Sequence, residues 1–179
     1  MEAALGLFAE RGFDEVTVAD ICAAADIAPR TFFRYFPSKD DVLIAPVREM
    51  ADRFQALISA APADLDDAEV LRRAYRETGE SIVADRERLT GFFRVLRRSA
   101  AVHPSPLVHL ADQERQLAAL LAARHDAELA DWRTRLLVAR TMSGFRVWLD
   151  DVVSGVAGDP LAHLDEVLAA VQSDGVPLP

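Results

Sequence analysis

The chain has 179 residues, 51% of them hydrophobic, and 20 Lys and Arg against 29 Asp and Glu give a formal charge of 20 − 29 = −9. That apolar fraction argues against whole-chain disorder, and the length suits one domain or a small module on a larger one. The acidity argues against nonspecific coating of nucleic acid or anionic membrane, no stretch approaches the roughly 18 apolar residues of a membrane span, and the single cysteine, Cys22, rules out an internal disulfide or a Cys-based zinc cluster.

Helical spacing dominates, and strand signals are nearly absent, so an all-α chain of about nine helices is expected. Ala3, Leu7 and Phe8 fit a first helix stopping at Gly12. Thr17 reads as an N-cap, with Asp20 three residues on as an acidic capping-box partner. Val18, Ile21, Cys22 and Ala25 form one face of the second helix. After the turn at residues 26–29, Pro29 suits the first turn of a third helix reaching Tyr35. Pro37 disfavours helix at Phe36, and Ser38 caps a fourth helix over about 39–60, with Pro46 inside it.

Beyond a break at 61–63, five more helices follow. They lie near 66–84 (Val70, Leu71, Ala74, Tyr75, Thr78, Ile82), 86–101 (Leu89, Phe92, Phe93, Leu96), 107–124, 128–153 (Trp132, Leu136, Ala139, Met142, Phe145, Leu149, Val152) and 160–172. The run His103-Pro104-Ser105-Pro106 breaks the helical pattern between the sixth and seventh.

Two short helices joined by a tight turn over 17–35 make a helix-turn-helix. Ile21, Cys22, Ile27, Phe32 and Tyr35 are expected to pack inward. Arg30, Thr31 and Arg34 are left on the solvent side, near the N-terminal end of the second helix, where a major-groove reader needs donors. Arg reads guanine bidentately, and Thr meets a thymine methyl or a phosphate. Thr17, with the backbone N–H groups after it, and Lys39 are the expected phosphate contacts. Residues 28–39 hold Arg30, Arg34 and Lys39 and no acid, or +3, while residues 1–50 carry five bases against nine acids, or −4. A narrow basic strip on an acidic background predicts few phosphate contacts and a modest salt dependence.

Leu7-Phe8-Ala9-Glu10-Arg11-Gly12-Phe13, Val16-Thr17-Val18-Ala19-Asp20-Ile21 and Thr31-Phe32-Phe33-Arg34-Tyr35-Phe36-Pro37-Ser38-Lys39-Asp40-Asp41 closely resemble the TetR family of bacterial transcriptional regulators. The resemblance covers about the first 50 residues; the rest agrees in helix count and spacing. It implies a homodimeric repressor on a palindromic double-stranded operator, released by a small molecule in the second domain. Against the family pattern, Asp26 stands where glycine is usual, and Cys22 replaces a usual alanine. Phe33 replaces a tyrosine that contacts phosphate, which moves that role to Tyr35. The family's basic arm is missing ahead of the first helix; if it is truly absent, lower DNA affinity is expected.

The resulting expectation is a DNA-binding domain over 1–45 and a ligand-binding and dimerisation domain over 46–179. The eighth and ninth helices, through 136–152 and 161–171, form the expected dimer contact. Phe92, Phe93, Leu96, Met142, Phe145 and Trp148 are core by default and line a pocket if the bundle holds a ligand. A small hydrophobic ligand is expected. The recognition helix and the Arg-rich sixth helix (Arg94, Arg97, Arg98) look similar to a subgroup regulating lipid and mycofactocin-related genes, which suggests a fatty acyl-CoA. No cofactor or metal is expected, because no His pair sits at i, i+4. The absence of a signal peptide suggests a cytoplasmic protein. The rivals are a helical enzyme using His103 or His109 with Asp150, which lacks an activated nucleophile, and a purely structural interaction module.

Overall fold

The structure is a computed structural model, and it describes residues 1–85 and 105–173. Eight helices lie among them: α1 (Glu2–Arg11), α2 (Val18–Ala24), α3 (Pro29–Tyr35), α4 (Lys39–Ala60), α5 (Asp67–Ala84), α6 (Ser105–Ala123), α7 (Trp132–Ser154) and α8 (Pro160–Gln172). No strand occurs among the described residues. The expected helix over 86–101, with Phe92, Phe93, Leu96, Arg94, Arg97 and Arg98, lies outside them, as does His103.

The chain divides into two compact units. Met1–Ala51 belong to the first, and Asp52 onward to Ala84, then α6, α7 and α8, to the second. The continuous helix α4 therefore contributes to both, and Pro46 does not end it.

Local signals explain the first unit. Gly12 closes α1 at φ 87°, a backbone conformation that a side chain resists. The expected capping box opens α2. Asp20 N–H donates to Thr17 Oγ1 at 3.1 Å, and Thr17 N–H donates to the Asp20 carboxylate at 2.9 Å. Asp26 sits at φ 51°, the left-handed turn that glycine would otherwise take. The Ile27 N–H returns to the Cys22 carbonyl at 3.0 Å, closing α2 as helices with a left-handed cap close. Pro29 occupies the first turn of α3. Ser38 caps α4 by accepting from the Asp41 N–H and donating to its carboxylate at 2.7 Å. Ala4, Phe8, Phe13, Val16, Ile21, Cys22, Phe32, Val42 and Leu43 form the buried interior.

The second unit packs α5, α6, α7 and α8 with the end of α4. Asp66, Asp131 and Asp159 cap α5, α7 and α8 with their side chains. Asp131 explains why α7 starts at Trp132 and not near 128: the residues before it lie ahead of the cap. Trp148 is fully buried, and its Nε1–H donates to the Pro160 carbonyl at 2.6 Å. Residue 79 is glycine because Leu164 of α8 packs on it: a Cβ there would lie 2.3 Å from Leu164 Cδ2, while Trp148 at 3.4 Å would meet it at ordinary contact distance. Arg124, just after α6, donates to the carbonyls of Ala61, Pro62 and Leu65 at 3.0, 2.9 and 3.2 Å, fixing the α4–α5 connection.

Candidate nucleic-acid interface

α3 has seven residues, and its faces are sharply different. Phe32 is buried, with the Phe33 ring edge-on at 5.3 Å and the Phe36 ring at 5.8 Å. Tyr35, expected to pack inward, is instead 65% exposed. The inward partner of Phe32 is Phe36, four residues on and just past the helix end, because an i,i+4 pair stacks on one face. Ile27 is half-buried at the turn.

The outward face carries Arg30, Arg34 and Tyr35, with Thr31 half-buried beside them. Arg30 has no ion-pair partner among the described residues. The Arg34 guanidinium donates to the Tyr35 hydroxyl at 3.1 Å and lies 4.8 Å from its ring centroid. This pair presents one guanidinium and one hydroxyl as a preset group at the end of α3.

Both donors of Thr17 are engaged by Asp20. The hydroxyl donates to the carboxylate at 2.6 Å and the backbone N–H to the same oxygen at 2.9 Å. Hydrogen bonds from Thr17, and Arg11 at 3.6 Å, hold the Asp20 carboxyl below the usual range. The first-turn N–H groups of Val18 and Ala19 have no acceptor within the helix, which is where an anion can still bind. Lys39 is similarly occupied. Its ammonium donates to the carbonyls of Phe13 at 2.8 Å, Val16 at 3.0 Å and Asp14 at 3.4 Å, and lies 4.4 Å from the Phe13 ring centroid. In this structure Lys39 ties the α1–α2 connection to the start of α4.

Of the expected ligand residues, Phe145 and Trp148 are buried in α7, stacked at 4.9 Å, and Met142 is half-buried. Phe92, Phe93 and Leu96 lie outside the described residues. Tyr75 also belongs to this aromatic group. Its ring lies 4.4 Å from Phe54 and 4.7 Å from Phe145, so it joins α4, α5 and α7 in one aromatic row. Aromatic spacing in the sequence signals core, and it does not show which rings meet. Among the described residues, no group of three or more His, Cys, Asp or Glu could hold a metal, and no helix is long and apolar enough to cross a membrane.

The stripe expected at the dimer contact divides in two. Val138, Phe145, Trp148 and Val152 of α7, with Leu164 and Leu168 of α8, are buried within the protomer. Trp132 (62% exposed), Leu136 (47%) and Val147 (47%) are not. At 100° per residue these three fall on the side of α7 opposite its buried face.

A three-helix unit with a tight left-handed turn and an exposed Arg-bearing second helix defines a helix-turn-helix protein. Residues 1–45 match the model of the bacterial regulatory proteins, tetR family. The HTH-type transcriptional regulator TcmR of Streptomyces glaucescens is 31% identical over 143 residues, 76% of this chain and 63% of TcmR, so the chain spans less than two thirds of that relative. MftR of Mycobacterium tuberculosis, named for regulation of mycofactocin biosynthesis, is 27% identical over 155 residues, 84% of this chain and 78% of that protein. Among solved structures, the fatty acid degradation regulator FadR of Bacillus halodurans shares the fold with a TM-score of 0.67 and 21% identity, over 97% of this chain and 92% of FadR. The chain is similar to TetR-family transcriptional regulators, and its residues 1–45 match that family's model. The relatives bear the names of regulators, not enzymes.

Proposed function

We propose that this protein is a homodimeric repressor that binds a palindromic operator through α3 and is released by a small hydrophobic ligand in its second unit. The observation that carries this reading is the face of α3: Phe32 buried, Arg30, Arg34 and Tyr35 outward. Residues 1–45 act as the DNA-binding domain and 46–179 as the ligand-binding and dimerisation domain. Arg30 and Arg34 read bases, Thr31 and Tyr35 add base or phosphate contacts, and the N–H groups at the start of α2, behind the Thr17 cap, take a phosphate. Lys39 reaches a phosphate only by giving up carbonyls it holds in this structure.

The exposed side of α7 supports the two-fold contact within 136–152, with α8 over 161–171 alongside. Trp132, Leu136 and Val147 stay exposed in one copy, with only Arg133, among the described residues, lying over the Trp132 ring, and a two-fold axis would cover them. Ligand binding favours the state in which the two recognition helices do not fit successive grooves, so it need only bind that state better. A TetR-family FadR repressor of Thermus thermophilus with the same fold, solved in complex with lauroyl-CoA, supports an acyl-CoA as the ligand. A cytoplasmic location accords with a DNA-bound role.

Fluorescence anisotropy with DNA from upstream of the protein's own gene tests the reading. Arg30→Ala and Arg34→Ala should each weaken specific binding by about 10-fold or more, leaving nonspecific binding nearly unchanged. If both variants keep full specific affinity, the interface lies elsewhere. Leu136→Asp should convert the dimer to a monomer in sedimentation, and lauroyl-CoA should release the DNA.

A further inference from the structure

Phe33 is an apolar residue that α3 does not bury. Its ring is 54% exposed, although Phe32 beside it is buried. The two rings stand edge to face, with centroids 5.3 Å apart and planes at 89°. That contact fixes the Phe33 ring and leaves its remaining surface to solvent, where phenyl has no donor or acceptor to offer. The position of the ring is informative. Three residues after Arg30, Phe33 lies about 60° round the helix axis from it, and Arg34 lies about 40° to the other side. Thr31 and Tyr35 follow beyond Arg34. The outward arc of α3 therefore runs from an apolar ring through two guanidinium groups to two hydroxyls. No acid lies within residues 28–39, and Arg30 has no ion-pair partner among the described residues. Such a strip fits an anionic surface that carries an apolar group beside hydrogen-bond acceptors. The major groove is one, and the apolar group on its base edges is the thymine 5-methyl.

We propose that Phe33 is a specificity residue, packing its exposed ring on the 5-methyl of a thymine next to the base that Arg30 reads. This rests on the reading of α3 as the recognition helix and adds a base preference to it. A ring without a hydroxyl has no donor for a phosphate oxygen, so Phe33 contributes by leaving water against another apolar group. Covering one methyl is worth about fourfold in affinity, and the two half-sites of a palindrome together roughly 15-fold.

The test uses the full-length protein and DNA that differs by single methyl groups. Duplexes are selected by the wild type from a randomised library. Each symmetric pair of thymines in the selected operator is then replaced by deoxyuridine, which lacks only the 5-methyl. In fluorescence anisotropy one such replacement should weaken the wild type by roughly 15-fold. Phe33→Ala should bind both operators alike, at or below the wild-type level on deoxyuridine. Phe33→Leu keeps an apolar tip and should keep part of the preference, and Thr31→Ser should keep all of it. A ring that only supports the helix would, when removed, weaken both operators by one factor and leave the preference unchanged. If circular dichroism shows that Phe33→Ala does not fold, Phe33→Gln gives the same readout, because it keeps a long side chain over Phe32 without an apolar tip. Phe33 is not the methyl reader if the preference survives Phe33→Ala or is lost in Thr31→Ser. The same holds if no thymine methyl matters while Arg30→Ala and Arg34→Ala still weaken specific binding; the recognition-helix reading then stands without it. If no duplex is enriched and neither arginine matters, that reading falls and the assignment falls with it.

Discussion

Lys39→Met separates two roles for one ammonium group. In the structure Lys39 donates two short hydrogen bonds, to the Phe13 and Val16 carbonyls at 2.8 and 3.0 Å, a weaker one to Asp14 at 3.4 Å, and faces the Phe13 ring at 4.4 Å. Charge-assisted bonds of this kind contribute about 1.5–3 kcal/mol each when sheltered. Lys39 is only half-buried, so roughly 1 kcal/mol per short bond is the safer figure, with about 0.5 kcal/mol from the ring. Methionine keeps the packing of the stem and removes all of it, so the loss should be about 2–3 kcal/mol. At roughly 2–4 °C per kcal/mol for a chain of this size, the melting temperature should fall on the order of 5–10 °C. Circular dichroism melting reads the first quantity, and operator affinity across a salt series reads the second. A structural clamp lowers stability and leaves the salt slope where it was. A phosphate contact leaves stability untouched and lowers the slope by about one. An unchanged melting temperature with the shallower slope would refute the clamp.

Asp26 is the cheapest test of the turn. Asp26→Gly should stabilise the protein by about 0.5 kcal/mol and Asp26→Ala should destabilise it by about 1 kcal/mol, measured by urea unfolding, because alanine has neither glycine's freedom nor a side chain that tolerates φ 51°. Glu69 predicts a pH dependence. Hydrogen bonds from Arg72 and then Arg73 lower its pKa from 4.5 to about 2. A lowered acid stabilises the fold above its unfolded value and loses that contribution as pH falls from about 4.5 toward 2. Glu69→Gln should therefore cost under about 1 kcal/mol at pH 7, after solvent screening, and nothing near pH 2. Trp148→Phe removes the bond to Pro160 and leaves a void beside Gly79, and should cost about 2–3 kcal/mol in denaturant titration. Emission from the remaining Trp132, which is exposed, should then be red-shifted.

What the sequence revealed of the fold was local. The Thr17–Asp20 capping box, Gly12, Pro29 and Ser38 each act within four residues, and the structure places helix ends at each. Asp26 in the glycine position is legible for the same reason: one residue's backbone preference decides it. Tyr35 was not legible. In a helix of seven residues, positions three and four apart both look like one face, and only the path of the chain after Tyr35 brings Phe36 inward. The apolar stripe of α7 shows the same limit at larger scale. Periodicity reports that Trp132, Leu136, Phe145 and Val152 are apolar at helical spacing, but two of these face α8 and its neighbours and two face outward. A helix with two apolar sides satisfies one pattern count while serving two contacts.

Lys39 shows how electrostatics could have been read further. A cation in the first turn of a helix opposes the helix dipole, so its presence at the start of α4 calls for a compensating set of acceptors. The sequence reading supplied a phosphate for that role. The structure supplies carbonyls from 23 and 26 residues earlier in the chain. No local rule reaches that far, because the meeting depends on how α1, α2 and α4 pack. The consequence is functional. A recognition helix can report on its operator only if α2 and α3 are held rigidly against α4, and the Lys39 clamp, Phe13 and Val16 form one such attachment. On that reading Lys39→Met should lower operator affinity by a similar factor at every salt concentration, with the slope unchanged, whereas loss of a phosphate contact would make the slope shallower.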